Sequence, residues 1–161
     1  MRRIAFAAAL LLAGCGSNHD GRGTIERAQA GLRRIESGTV RLHVTVHGLI
    51  PLEQSATLRA EELPLSKLDL TRWTRHPRRL ACPQGLECAR ADVDVEAALR
   101  ELDSLLPSLP VDPDSIRSAR ADVAVDDRDH FPRWLRLHGE LDPGGLFPGT
   151  VPFDVELELQ R

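Results

Sequence analysis

The sequence predicts an α+β domain: a curved antiparallel β-sheet (half-barrel) packed with two helices. Three observations predict it. Two segments carry apolar residues at helical spacing, and six carry them at every second position. The alternating segments follow one another at meander spacing, with Gly, Pro and Asp breaks between them, which suits antiparallel pairing. Each alternating segment is apolar on one side only, so the sheet has a single face to cover, and the striped helices supply the cover.

The chain opens with Arg2 and Arg3, an uncharged run over residues 4–13, and small residues directly before Cys15. That layout is a secretory signal over residues 1–14. Its apolar run is about half the roughly 20 residues that a spanning helix needs. Leu12-Ala13-Gly14-Cys15 resembles the lipobox of bacterial lipoproteins. The resemblance implies cleavage after Gly14, fatty-acyl chains such as palmitate on the Cys15 thiol, and lipid anchoring at the extracytoplasmic face of the cell membrane. Residues 15–23, small and polar, read as a flexible tether, and residues 24–161 as one domain.

Thr24 suits a helix N-cap, with Glu26 in the first turn. Ile25, Ala28, Leu32 and Ile35 form one stripe, and Gly38 suits the closing residue, so a helix is predicted over 24–37. The period then changes. Over 39–47, Val40, Leu42, Val44 and Val46 face one way, against Arg41, His43, Thr45 and His47. Residues 52–60 alternate again, with Ala56 and Leu58 on one side. Residues 67–74 read as a further strand, with Leu68 and Leu70 opposite Asp69, Thr71 and Trp73. A weaker strand pair flanks residues 82–88. Val95, Ala98, Leu99, Leu102 and Leu106 make the second helical stripe, capped by Asp92 or Asp94 and ended by Pro107. Pro107, Pro110 and Pro113 form a stiff connection. Residues 120–126 and 131–141 pair across a polar turn at 126–130, and 153–159 is the final strand, acidic outside and apolar inside.

Composition narrows the function classes. With 42% hydrophobic and 28% charged residues, the 161-residue chain is an ordinary globular one. Its net charge of −3 gives no support for nucleic-acid binding, which needs a basic face. Lys67 is the only lysine, and there is no tyrosine, so stacking platforms for bases or sugars are scarce. Cys82 and Cys88 flank a turn shaped by Pro83 and Gly85 that brings the two sulfurs together. In an oxidising compartment such a pair is a disulfide; a redox couple or half of a metal site are the alternatives.

The order of elements resembles the LolA-like lipoprotein-carrier superfamily, and more closely the actinobacterial lipid-carrier lipoproteins of the LppX/LprG kind. The residues that carry the resemblance are the lipobox at 12–15, the helix-to-strand join at 37–48, and the Asp-rich hairpin at 121–138. It implies a strongly curved half-barrel with a helical insertion, and a role in carrying lipid.

His43 and His47 share a strand face but stand roughly 13 Å apart, too far to share a metal by themselves. Asp126, Asp127 and Asp129 lack the glycine and distal glutamate of a calcium loop. Neither a nucleophile elbow, nor a phosphate loop, nor a zinc-hydrolase motif is present, so the chain reads as non-enzymatic and without a cofactor or metal. One basic cluster stands out: Arg72, Arg75, His76, Arg78 and Arg79, with Trp73 inside it. It reads either as a membrane-surface patch for anionic headgroups, with the indole at the interface, or as an exposed arginine-rich loop. The expected function is a membrane-anchored lipoprotein that binds or carries an apolar ligand such as a lipid, between the sheet and its helices. Val44, Val46, Leu58, Leu70, Leu102, Leu137 and Val155 are the residues expected to line that space, each equally a plain core residue. The alternative is a non-catalytic envelope interaction or structural lipoprotein with a filled core and no ligand.

Overall fold

The computed structural model describes residues 20–105, 113–144 and 149–161, and of residues 102–105 and 113 the backbone only. The expected signal segment, Cys15 and most of the expected tether lie outside the described residues. The fold class is the predicted one. A single seven-stranded antiparallel sheet runs in the order β2-β1-β7-β6-β5-β4-β3 and stays open, with helices on one face. The strands are β1 (Thr39–Val46), β2 (Leu52–Arg59), β3 (Thr74–Leu80), β4 (Leu86–Val93), β5 (Ile116–Asp126), β6 (Pro132–Leu141) and β7 (Val151–Gln160). The helices are α1 (Arg22–Leu32), α2 (Leu70–Trp73) and α3 (Val95–Leu105), one more than predicted.

The folded body begins earlier than the sequence suggests. Asp20 bridges to Arg78 on β3, and its carboxylate accepts the Arg22 N–H at 2.9 Å; the N-cap is Gly21, not Thr24, and α1 starts at Arg22. Thr24 is buried inside the first turn. Gly21 makes this possible, because a Cβ there would sit 2.6 Å from the Arg78 carbonyl. Residues 20–23 are therefore held against the sheet and are not tether. The helix also stops early, at Leu32. Gly38, at φ +130°, then turns the chain into β1, and a Cβ there would meet the Gln160 carbonyl oxygen at 2.5 Å.

The strand predicted at 67–74 is a second correction. This segment forms a 3-10 turn at Leu65–Lys67 followed by α2. Leu65, Leu68, Leu70 and Trp73 are all buried, a spacing of three, two and three that a turn-and-helix path brings to one side. Gln29 of α1 fixes the join. Its amide nitrogen donates to the Leu68 carbonyl at 2.7 Å, and its amide oxygen accepts the Leu70 N–H at 2.6 Å. Alternation at 68 and 70 suggested a strand, but the buried Gln29 amide, on α1 and some forty positions earlier in the chain, decides the outcome.

The other elements stand near their predicted places. β3 and β4 form the hairpin around Gly85, at φ +86°. Asp94 caps α3, its carboxylate accepting the Ala97 N–H at 3.0 Å. In the β5–β6 turn, Asp126 and Asp129 accept the N–H groups of Arg128 and Phe131 at 3.0 and 2.8 Å. The acidic residues there are turn formers. The core lies between α1, α2 and the β3–β6 half of the sheet, built on Ile25, Ala28, Leu32, Leu70, Val123, Val125 and Leu135.

Candidate functional site

Register shows what the helices leave open. α1 packs on β3, β4, β5 and β6, and α3 on β5. On the face they cover, Val123 and Ala89 are fully buried, and so is Val40, where β1 passes under the edge of the helical layer. Away from that corner the same face stays apolar but, among the described residues, is only partly covered, with Leu137 and Leu157 still packed against the rim of the core. Val44 pairs with Val155, which pairs with Leu137, giving one straight apolar row across β1, β7 and β6. Leu42, Leu157 and Leu135 form the row beside it. Val46 and Phe153 form the row beyond. Val44, Val46, Val155, Leu137, Leu42, Leu157 and Phe153 are all half-buried. The result is an apolar shelf, continuous in register and in side-chain chemistry.

Phe153 spreads over this shelf because β6 has no side chain beneath it. A Cβ at Gly139 would lie 2.4 Å from the Phe153 ring. At the open end of the shelf, the β1–β2 turn presents Leu49 and Ile50 at 92% and 87% exposure, with Leu52 beside them at 53%.

Four of the seven residues expected to line an apolar site thus stand together: Val44, Val46, Leu137 and Val155. Leu58 is half-buried on edge strand β2, opposite Val40. Leu70 does not belong to the shelf; it sits in α2 and is buried in the core. The Leu102 side chain lies outside the described residues. Sequence reasoning missed Leu42, Leu157 and Phe153 as shelf residues, although the alternation that singled out Val44 and Val155 also contains them.

The opposite face of the same strands is polar. The His47 imidazole meets the Asp154 carboxylate at 2.7 Å, and the other oxygen of that carboxylate meets His138 at 2.5 Å. His138 lies 3.6 Å from Asp122, whose two oxygens each accept from Arg90 at 2.6 Å. Asp122 is 4% exposed, and its two hydrogen bonds raise the Arg90 pKa against the opposing effect of burial. Burial pushes the Asp154 carboxyl up, but hydrogen bonds from His47 and His138 outweigh it and hold it below its ordinary value. This polar row ties His47, one residue past the end of β1, to strands β7, β6, β5 and β4. His43 bonds the Ser55 hydroxyl at 2.7 Å across β1 and β2.

The basic cluster divides. Arg72 and Arg75 line a shallow cleft of about 250 Å³ between α2 and α3, together with Ala97, Arg100 and Glu101. Arg75 is paired to Asp94 at 3.1 Å. Arg78 and Arg79 lie farther along β3, past a bulge at which His76 has φ 47°. Trp73 overturns the expectation of an interfacial indole. It is 2% exposed, because α2 turns its side chain into the core.

Cys82 and Cys88 stand at disulfide distance, with Cα atoms 5.9 Å apart, within the range a bridge requires. No helix among the described residues is long and apolar enough to cross a membrane. No protein-family model matches the chain, and comparison with curated proteins gives no match.

Proposed function

We propose that this protein is a membrane-anchored, extracytoplasmic lipoprotein that binds or carries an apolar ligand, such as a lipid, on the open half of its sheet. The observation that carries the reading is the Val44–Val155–Leu137 row, apolar, in register and only half-buried among the described residues, running outward from Leu137 at the rim of the core. An acyl chain laid along it gains about 0.8 kcal/mol for each methylene removed from water. The lipobox pattern at residues 12–15 supports the address, since fatty-acyl chains on Cys15 hold the domain beside its ligand source. In that oxidising setting Cys82 and Cys88 form a bridge. Arg72, in its cleft beside α3, suits an anionic headgroup at the membrane surface.

Native mass spectrometry of the protein purified from its own host tests the reading. A co-purifying lipid, lost in Val44→Asp and Val155→Asp variants that keep their fold, is the expected result. A ligand-free mass in the parent protein overturns it. Failure of labelled fatty acid to enter the protein, with unchanged membrane fractionation of Cys15→Ser, overturns the anchor. The second reading, an envelope interaction module without ligand, is favoured by one observation: β2 is a long, exposed sheet edge.

A further inference from the structure

The two edges of the sheet differ in kind. At β3 the edge is guarded: Pro77 removes a donor, a bulge at residues 75–78 breaks the ladder, and Arg75, Arg78 and Arg79 crowd it. Asp20 and Gly21 also lie against it. β2 has neither the proline nor the bulge, and only one arginine, Arg59, at its end. It is eight residues long, pairs with β1 without a register shift, and contains neither proline nor lysine.

The pairing pattern fixes which groups β2 offers. The Ala60 N–H bonds the Gly38 carbonyl at 2.9 Å, so the even-numbered residues of β2 bond β1. The N–H and C=O groups of Glu53, Ser55, Thr57 and Arg59 therefore point to the open edge. The Arg59 N–H is taken by the Glu62 carboxylate at 3.1 Å, which leaves residues 53–57 as the ladder that is free among the described residues. Glu53 and Arg59 are exposed, and neither side chain has an ion-pair partner among the described residues.

We propose that β2 pairs antiparallel with β2 of a second copy of this chain, about a two-fold axis at Ala56. This register puts Ser55 opposite Thr57 of the partner subunit, both in hydrogen-bonding positions, and Glu53 opposite Arg59 of the partner subunit. Each contact occurs twice, and both stray charges find their complement on the same face. Shifting the axis to Ser55 leaves Arg59 without an acid, and shifting it to Thr57 sets Glu53 against Glu61 of the partner subunit. Charge thus selects one register out of three. Ala56 meets its own copy at the axis, where small side chains permit close approach. The shelf of each subunit then continues across the junction through Ala56 and Leu58.

Sedimentation of the purified protein over a wide concentration range tests this. The parent is expected to show a monomer–dimer equilibrium. Arg59→Glu, which places like charges opposite each other twice, is expected to raise the dimer Kd about tenfold. Adding Glu53→Arg to it restores association. Thr57→Pro, which deletes an edge-facing N–H and leaves the β1 ladder whole, is expected to abolish it with unchanged circular dichroism. Ala56→Cys is expected to cross-link as a dimer under mild oxidation, since non-hydrogen-bonded partners sit about 4.5 Å apart. A parent that stays monomeric throughout overturns the proposal and leaves the edge to a strand from another protein. So does a dimer indifferent to Thr57→Pro and not recovered by the double charge swap.

Discussion

The ring of Phe153 occupies the space above Gly139, 2.4 Å from where a Cβ would stand. The pair faces each other directly across β6 and β7. Only glycine lets the ring lie flat on the strand, and the ring in turn covers backbone that glycine leaves bare. Gly139→Val is expected to expel the ring and cost about 1–3 kcal/mol, the usual range for overpacking. Urea unfolding followed by circular dichroism measures it. Phe153→Ala in the Gly139→Val background should recover part of that loss, because the clash is gone.

Gln29 holds α1 to the start of α2 through one donor and one acceptor, both buried. Gln29→Ala leaves the Leu68 carbonyl and the Leu70 N–H without partners. Each orphan costs about 1–3 kcal/mol, so a loss of about 2–6 kcal/mol is expected. Gln29→Glu should also destabilise, since a carboxylate cannot donate to the Leu68 carbonyl. Thermal melts of both variants check this.

Acid should loosen the sheet in a defined window. The Asp154 carboxyl is held below its ordinary 3.8 despite burial, by hydrogen bonds from His47 and His138. Arg133 lowers Asp126, and Arg117 lowers Asp142, in the same direction. A folded-state pKa below the unfolded one gives stability that is present above 3.8 and lost as pH falls through the folded value. Urea midpoints should therefore hold from pH 7 to about pH 5 with respect to these three groups and drop below pH 4. Asp154→Asn should flatten that acid limb.

Within β1, the cost of truncation should fall along the strand. Val40 is fully buried under the helical layer, while Val46 stands half-exposed on the shelf. Val40→Ala is expected to cost about 2 kcal/mol and Val46→Ala under about 1 kcal/mol. Equal losses from the two would mean that the shelf is covered.

Much of this architecture was legible in residue spacing. The alternation at 40, 42, 44 and 46 found β1, and the polar run at 126–130 found its hairpin, because both signals are local. The segment around Leu70 was not legible. Its alternation is genuine, but the deciding force is a buried amide on α1, some forty positions away in the chain. Trp73 was misplaced for the same reason: its arginine neighbours suggested a surface, and α2 turned it inward. Half of the shelf was readable, since one-sided alternation names the apolar face. Which part of that face stays uncovered depends on where the helices land, and no single strand records it. The polar row from His47 to Arg90 escaped for a similar cause, being assembled from four strands and the residue that follows β1.

The guarded edge at β3 sets a limit on assembly. Bulge, proline and arginines make it a stop, so strand addition at β2 cannot repeat on the far side. Joining two bare edges uses up both, and the product is a closed pair of fourteen strands with a repellent rim at each end. A chain with seven antiparallel strands and an open ladder is a natural seed for fibres; this one carries, in a single irregular strand, the reason it would not grow into one.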